Sequence, residues 1–362
     1  MKNIFKFISI IVIFIFCIEA VTAYEIKVVD SFKLSQKKII AYAASLCVTE
    51  DELFLVPDKK LGHVKVFDND GELVKILGSK GFGPDEFDRP AYSFYEGKKF
   101  GVYDMSSWRI HLYERSTPGK ANFKRIKSIF CTTGITDVHF KGRTLFLAGF
   151  VQNKEGAPYC MFARDTELEK NELLLPAHYE FGFASSNEYK AKRNLPEILV
   201  GGGIDLVAAA GDFAYFAWEG DLSVVSVNLS TMKIIRFGYK SPHYIKPFLS
   251  KEFTKAYETR YSNPRAYGAA RWKLSYVHDF FACDAFVLVI FRGPHKNEKF
   301  PPYTTQFYSL DGEYINEVIL PLEWEWWQFF LDKQKNVLYA IAHDGENDEE
   351  YYIVKMQISN GK

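Results

Sequence analysis

The residues best suited to chemistry are a few histidines and carboxylates that recur on one kind of segment. Asp137 and His139 are two apart in ITDVHFK, so on an extended strand they face the same side. Asp205 lies in IDLVAAA, His278 and Asp279 in SYVHDFF, and Gln328 in EWWQFFL. Histidine and carboxylate groups converging on one axis are ligands for Zn²⁺ or Ca²⁺. The expected metal set is therefore Asp137, His139, Asp205 and His278. The competing reading has these groups hydrogen-bonding to backbone and water along a wet channel. Nucleophilic catalysis has no support, since no GxSxG is present. A second set is aromatic. Trp324, Trp326 and Trp327 crowd the start of EWWQFFL, while Tyr257, Tyr261, Tyr267 and Trp272 are interleaved with Arg260, Arg265 and Arg271. Tyr, Trp and Arg dominate binding hot spots, and aromatic platforms suit sugar rings or peptides. The expected ligand-binding set is Trp324, Trp326, Trp327, Tyr257, Tyr261, Arg265 and Trp272. The alternative is that these side chains pin an insertion to the body of the protein, burying ~150–250 Å² apiece.

These residues need elements to hold them, and the elements repeat. Six segments rich in aromatic and β-branched residues begin at residues 52, 99, 144, 213, 286 and 337: ELFLVPD, KFGVYDM, TLFLAGF, FAYFAWE, FVLVIFR and VLYAIAH. Most follow a turn, such as Glu96-Gly97-Lys98 or Gly211-Asp212. Each has an apolar segment upstream, and those segments carry the candidate metal ligands. Most have a strand hairpin downstream, clearest in HVKVFDNDGELVKIL and QFYSLDGEYINEVIL, where Asp70-Gly71 and Asp311-Gly312 supply the turns. Four antiparallel strands repeated six times predict an all-β, six-bladed β-propeller, whose innermost strands line a central channel. The spacings between successive middle strands are 47, 45, 69, 73 and 51 residues, so the two long ones contain insertions. In the second, Gly238 to Lys273, the run LSKEFTKAYETRY has Leu249, Phe253, Ala256 and Tyr257 at helical spacing. It predicts a short helix between blades 4 and 5. The last unit runs out after YYIVKMQI, its third strand, while EIKVVDSFKL near the N-terminus is a spare strand. The spare strand is expected to complete the last blade and close the ring, removing an exposed edge.

The chain has 45 basic and 45 acidic residues and 17% aromatic residues. That balance argues against a broad nucleic-acid-binding surface. Lys2 and Lys6, the apolar run Ile8 to Ile18 and the small residues of Val21-Thr22-Ala23 form a signal-peptide pattern, with cleavage expected after Ala23. The expected organisation is a signal peptide over 1–23 and one propeller domain over 24–362. The mature protein is then periplasmic or secreted, without stable membrane insertion, and a monomer. An anchor left uncleaved is the alternative. Cys47, Cys131, Cys160 and Cys283 show no CxxC spacing, so mostly buried free thiols are expected, with room for one disulfide.

Between the first two units, Gly78, Gly81, Gly83, Pro84, Glu86, Phe87 and Pro90 form GxxGxGPxEFxxP, and Val102, Asp104, Arg109, Ile110 and Tyr113 form VxDxxxxRIxxY. This pair of motifs resembles the NHL repeat of six-bladed and exported bacterial propellers. The match covers one repeat; the other five agree only in strand pattern. The resemblance implies a propeller that binds partners or ligands on one face. It also implies an alternative, because some relatives are lyases or sugar-acid lactonases that use a metal in the channel. From the residues alone, the glycines allow positive φ, Pro84 fixes its own, and Phe87 plugs the gap between neighbouring blades. Asp104 and Arg109 are placed to pair across the Met105 to Trp108 connection. A phosphate-cradling loop is excluded, because no helix start follows and Asp85 and Glu86 would repel an anion. Function is thus read as non-catalytic binding of a protein, peptide or glycan. The alternatives are a metal-dependent lyase or lactonase with Ca²⁺ or Zn²⁺ in the channel, and a purely structural module.

Overall fold

A computed structural model describes residues 23–361 apart from 36–39, 132–134, 156–157, 178–204, 219, 246–254, 257–258, 260–261, 264, 267–269, 271–272, 296–298 and 346–349. Six four-stranded antiparallel sheets form the blades of a propeller. Blade 2 shows the pattern: Pro90–Glu96 innermost, then Lys99–Asp104, Arg109–Arg115 and Phe123–Phe130 outermost. The inner strands of blades 1 to 6 are Cys47–Val48, Pro90–Glu96, Asp137–Lys141, Asp205–Ala210, Tyr276–Ala282 and Glu325–Asp332. Each contacts the inner strands of both neighbours, so the ring is complete.

The packing explains why the second strand of each blade was so legible. Every residue of Val287–Arg292 and of Val337–His343 is buried. Such a strand is covered on both faces by adjacent blades, so it reads as a continuous apolar run instead of alternating. The apolar core is accordingly divided into six clusters, one at each junction between neighbouring blades. Phe87 lies in the cluster between blades 1 and 2 with Leu77, Phe100 and Tyr113, filling the gap it was expected to fill. All four described cysteines are buried and free.

Closure follows the expected route. Tyr24–Lys33 pairs antiparallel with Tyr352–Asn360 as the outermost strand of blade 6. Tyr24 also reaches blade 5, where its ring packs on Phe286 and Phe307 with centroids 4.9 and 4.6 Å away. The Asn316 side chain accepts from Tyr24 N and donates to Tyr24 O, both at 2.9 Å. At the strand's other end, Gly71 of the Asp70-Gly71 turn adopts φ +78°, and a Cβ there would lie 2.3 Å from the Lys33 carbonyl oxygen. The turn that ends blade 1's hairpin therefore also seats the closing strand.

The glycine loop between blades 1 and 2 is closed by its own acid. Glu86 Oε2 accepts from Gly83 N at 2.7 Å, and its carboxylate occupies the space a Cβ on Gly81 would need. Of the two glycines expected to use positive φ, Gly81 does so at +153° and Gly83 does not. Asp104 does not pair with Arg109. Its buried carboxylate accepts from the amides of Asp88, Arg89 and Ser106, pinning the loop, while the Arg109 guanidinium lies over Phe130. The predicted signal segment and most of the predicted helix lie outside the described residues. Within that insertion Lys255, Ala256, Arg265, Ala266 and Ala270 are helical. Among the described residues, no helix is long and apolar enough to cross a membrane.

Candidate ligand site in the central channel

The six inner strands surround a cavity of about 1110 Å³. Adjacent strands run the same way. Asp137, opening the inner strand of blade 3, accepts from Val207 N near the start of blade 4's, at 2.9 Å. Lys141, at its end, donates to the Gly211 carbonyl beyond the end of blade 4's. The channel thus has an upper mouth where the strands begin and a lower mouth where they end.

Upper-mouth side chains mix aromatic and polar groups. Tyr42 is exposed, with the Lys59 ammonium 5.8 Å from its ring centroid. Tyr92, Asp137, Tyr276, His278, Arg292 and Gln328 line the same cavity. The buried Arg292 guanidinium lies over the Tyr276 ring and donates to its hydroxyl at 2.9 Å. His278 sits among the rings of Tyr276, Tyr303 and Phe329, and its Nδ1 is 3.4 Å from Asp279 Oδ2.

Asp137 and Asp279, the carboxylates of the inner strands of blades 3 and 5, spend oxygen atoms on neighbouring strands. Asp137 also accepts from Val138 N at 2.8 Å, and Asp279 accepts from Phe329 N at 3.3 Å. Each therefore ties its blade to the next, blade 3 to 4 and blade 5 to 6. Burial pushes the Asp137 carboxyl up to about 7 against the pull of those amides, with a smaller push from Asp279. Burial raises Asp279 in the same way, opposed by His278.

At the lower mouth lie Glu50, Glu96, Lys141, Asp284, Asp332 and Lys333. His139 Nε2 is 3.2 Å from Lys333 Nζ. Burial and the nearby cations Lys333 and Lys141 hold the His139 imidazole well below its ordinary range, so it is neutral. Burial brings the Lys333 ammonium down to about 8, and it raises the Glu96 carboxyl. Lys333 carries no inner-strand signal in the sequence, because it sits in the turn just after that strand.

The expected metal set is only partly brought together. Asp137, His139 and His278 all line the channel, but they face different partners, and the Asp205 side chain lies outside the described residues. Among the described residues no three His, Cys, Asp or Glu side chains are grouped to hold an ion.

The expected aromatic set divides. Trp326 is buried at 2% exposure and donates from Nε1 to the Pro321 carbonyl at 3.2 Å. Trp324 is partly buried against Trp326 and Tyr352, and Trp327 against His343 and Tyr351. Arg265 is exposed, whereas Tyr257, Tyr261 and Trp272 lie outside the described residues. Two histidines outside the inner strands are core: His111 and His343 are each 3% exposed. His111 Nδ1 meets Ser128 Oγ at 2.9 Å, and His343 packs at a tilt against the rings of Trp327 and Tyr351.

No protein-family model matches the chain, and no curated protein matches it significantly. Solved structures do. A member of the DUF4221 family from Bacteroides vulgatus superposes with a TM-score of 0.63 at 14% identity, over 94% of this chain and 99% of that one. A protein of Bacteroides fragilis named as exported gives 0.55 at 14% identity, over 96% and 98%. These likenesses establish the propeller fold and do not reach its chemistry.

Proposed function

We propose that this protein is an exported binding module, a rigid and non-catalytic ring that takes a protein, peptide or glycan ligand at the upper mouth of its channel. The observation that carries the reading is the composition of that mouth. Tyr42, Tyr92 and Tyr276 supply flat apolar faces, and Lys59, Arg292 and Gln328 supply hydrogen-bonding groups, all around one open cavity. That combination of a few convergent polar groups with aromatic walls is what ligand sites use. The signal-peptide pattern and the likeness to a propeller named as exported support a place outside the cytoplasm. The metal-dependent lyase or lactonase reading gains no specific observation, since the channel carboxylates and His139 already have protein partners.

The test is a screen of the purified protein on peptide and glycan arrays, followed by Tyr42→Ala and Gln328→Ala. Tyr42 is 47% exposed, so its loss leaves the fold intact. Affinity for the ligand found should fall roughly tenfold or more, as hot-spot truncations do, with an unchanged melting temperature. Hits that survive both substitutions at full strength would remove the upper mouth from the reading.

A further inference from the structure

At the lower end of the channel one amine stands apart from the other cations. Lys333 belongs to blade 6, yet its side chain lines the lumen and reaches the opposite side of the ring. There Nζ meets His139 Nε2 of blade 3 at 3.2 Å and the Ala209 carbonyl oxygen of blade 4 at 3.4 Å. Among the described residues no carboxylate lies within ion-pair distance of it, and Phe140, Phe281 and Leu331 form the apolar wall nearby. Lys141, the other lysine at the lower mouth, donates instead to the Gly211 carbonyl, and two further lysines outside the cavity lining are ion-paired. Lys335 contacts both Glu52 and Asp332, and Lys355 contacts Glu52. Glu96 and Asp284 act on Lys333 only at longer range, and burial outweighs their pull. A lysine drawn out of bulk water without an ion-pair partner gives up its proton more readily and becomes a nucleophile. An imidazole within hydrogen-bonding reach of the same nitrogen is the base such a nucleophile needs.

We propose that the lower end of the channel is a carbonyl-binding site, where Lys333 holds an aldehyde or ketone as a reversible imine. The Nζ lone pair adds to the carbonyl carbon while the π pair moves to oxygen. His139 relays one nitrogen proton to that oxygen, giving the carbinolamine, and then relays the second to its hydroxyl, which leaves as water as the C=N bond forms. Addition of water reverses the sequence and frees the carbonyl compound. No oxidant or reductant enters. This site is separate from the upper mouth and does not depend on the reading given for it.

The experiment is reductive trapping. The native protein is incubated with propanal and sodium cyanoborohydride at neutral pH, and peptides released by a glutamate-specific protease are fragmented in the mass spectrometer to place the label on individual lysines over time. Lys333 should be alkylated roughly tenfold faster than exposed Lys27 and Lys335 in the same sample. His139→Gln should slow labelling of Lys333 by about tenfold and leave Lys27 and Lys335 unchanged. Lys333→Arg should abolish the fast phase, with circular dichroism confirming the fold. The wild-type comparison uses no variant, so a misfolded mutant cannot rescue the idea. Labelling of Lys333 no faster than Lys335 overturns the site, and an unchanged Lys333 rate in His139→Gln overturns the role given to the imidazole.

Discussion

Single side chains in this ring do opposite things to its pH dependence. Asp137 is an acid whose folded-state value is raised to about 7 by burial. The folded protein therefore holds a proton that the unfolded chain has already lost above the ordinary carboxyl range. Stability contributed by this group is full at low pH and is lost as pH rises towards 7. Relative to Asp137→Asn, the wild type should therefore lose about 1 kcal/mol or more of stability between pH 4 and pH 8, read from urea midpoints. His111 runs the other way. Burial, aided by Arg125, lowers it to about 4, so its contribution is present above the usual histidine range and lost as pH falls from about 6.5 to 4. His111→Gln should flatten the acid limb of the stability curve and leave the alkaline limb unchanged. Neither effect was legible in the sequence. A histidine in RIHLYER reads the same whether its strand face meets water or Phe87, and here it meets Phe87 edge-on at 5.3 Å.

At the level of elements, turns carry more than their own hairpins. The Asp-Gly pairs were readable as turns, but not as docking points. Gly71 lies against the Lys33 backbone and Gly312 against the Phe237 ring, in each case the outermost strand of the preceding blade. Sequence encodes the turn locally, whereas docking depends on which blade lies next in the ring. Gly71→Ala should cost both the left-handed backbone penalty and the collision, ~2 kcal/mol or more in chemical denaturation. Gly97→Ala is the control, with φ +58° and nothing within 4 Å, and should lose only ~1 kcal/mol. The aromatic cluster shows the same limit. Trp324, Trp326 and Trp327 are conspicuous in the sequence, but period-two alternation alone does not say which of them faces a blade junction. Trp326 enters the junction between blades 5 and 6.

For the molecule as a whole, blade number and closure were legible because each middle strand is predominantly apolar and the last unit lacks a strand that the N-terminal segment supplies. The channel's chemistry was less so. Lys333 is a turn residue by sequence and a lumen residue only because the ring brings blade 6 opposite blades 3 and 4. Asn316→Ala removes both hydrogen bonds to Tyr24 and should destabilise closure by about 1–2 kcal/mol. Removing residues up to Lys33 should leave Tyr352–Asn360 as an open edge and produce oligomers in size-exclusion chromatography. The closing strand also fixes an order of events. Its partners, Tyr352–Asn360, are the last strand of the chain to be synthesised. Tyr24–Lys33 must therefore wait, unpaired, until the strands of all six blades have been made, and pairing between such distant segments is slow. Ring closure is thus the last blade pairing to become possible as this sequence emerges, and it is expected to pace the folding of the whole ring.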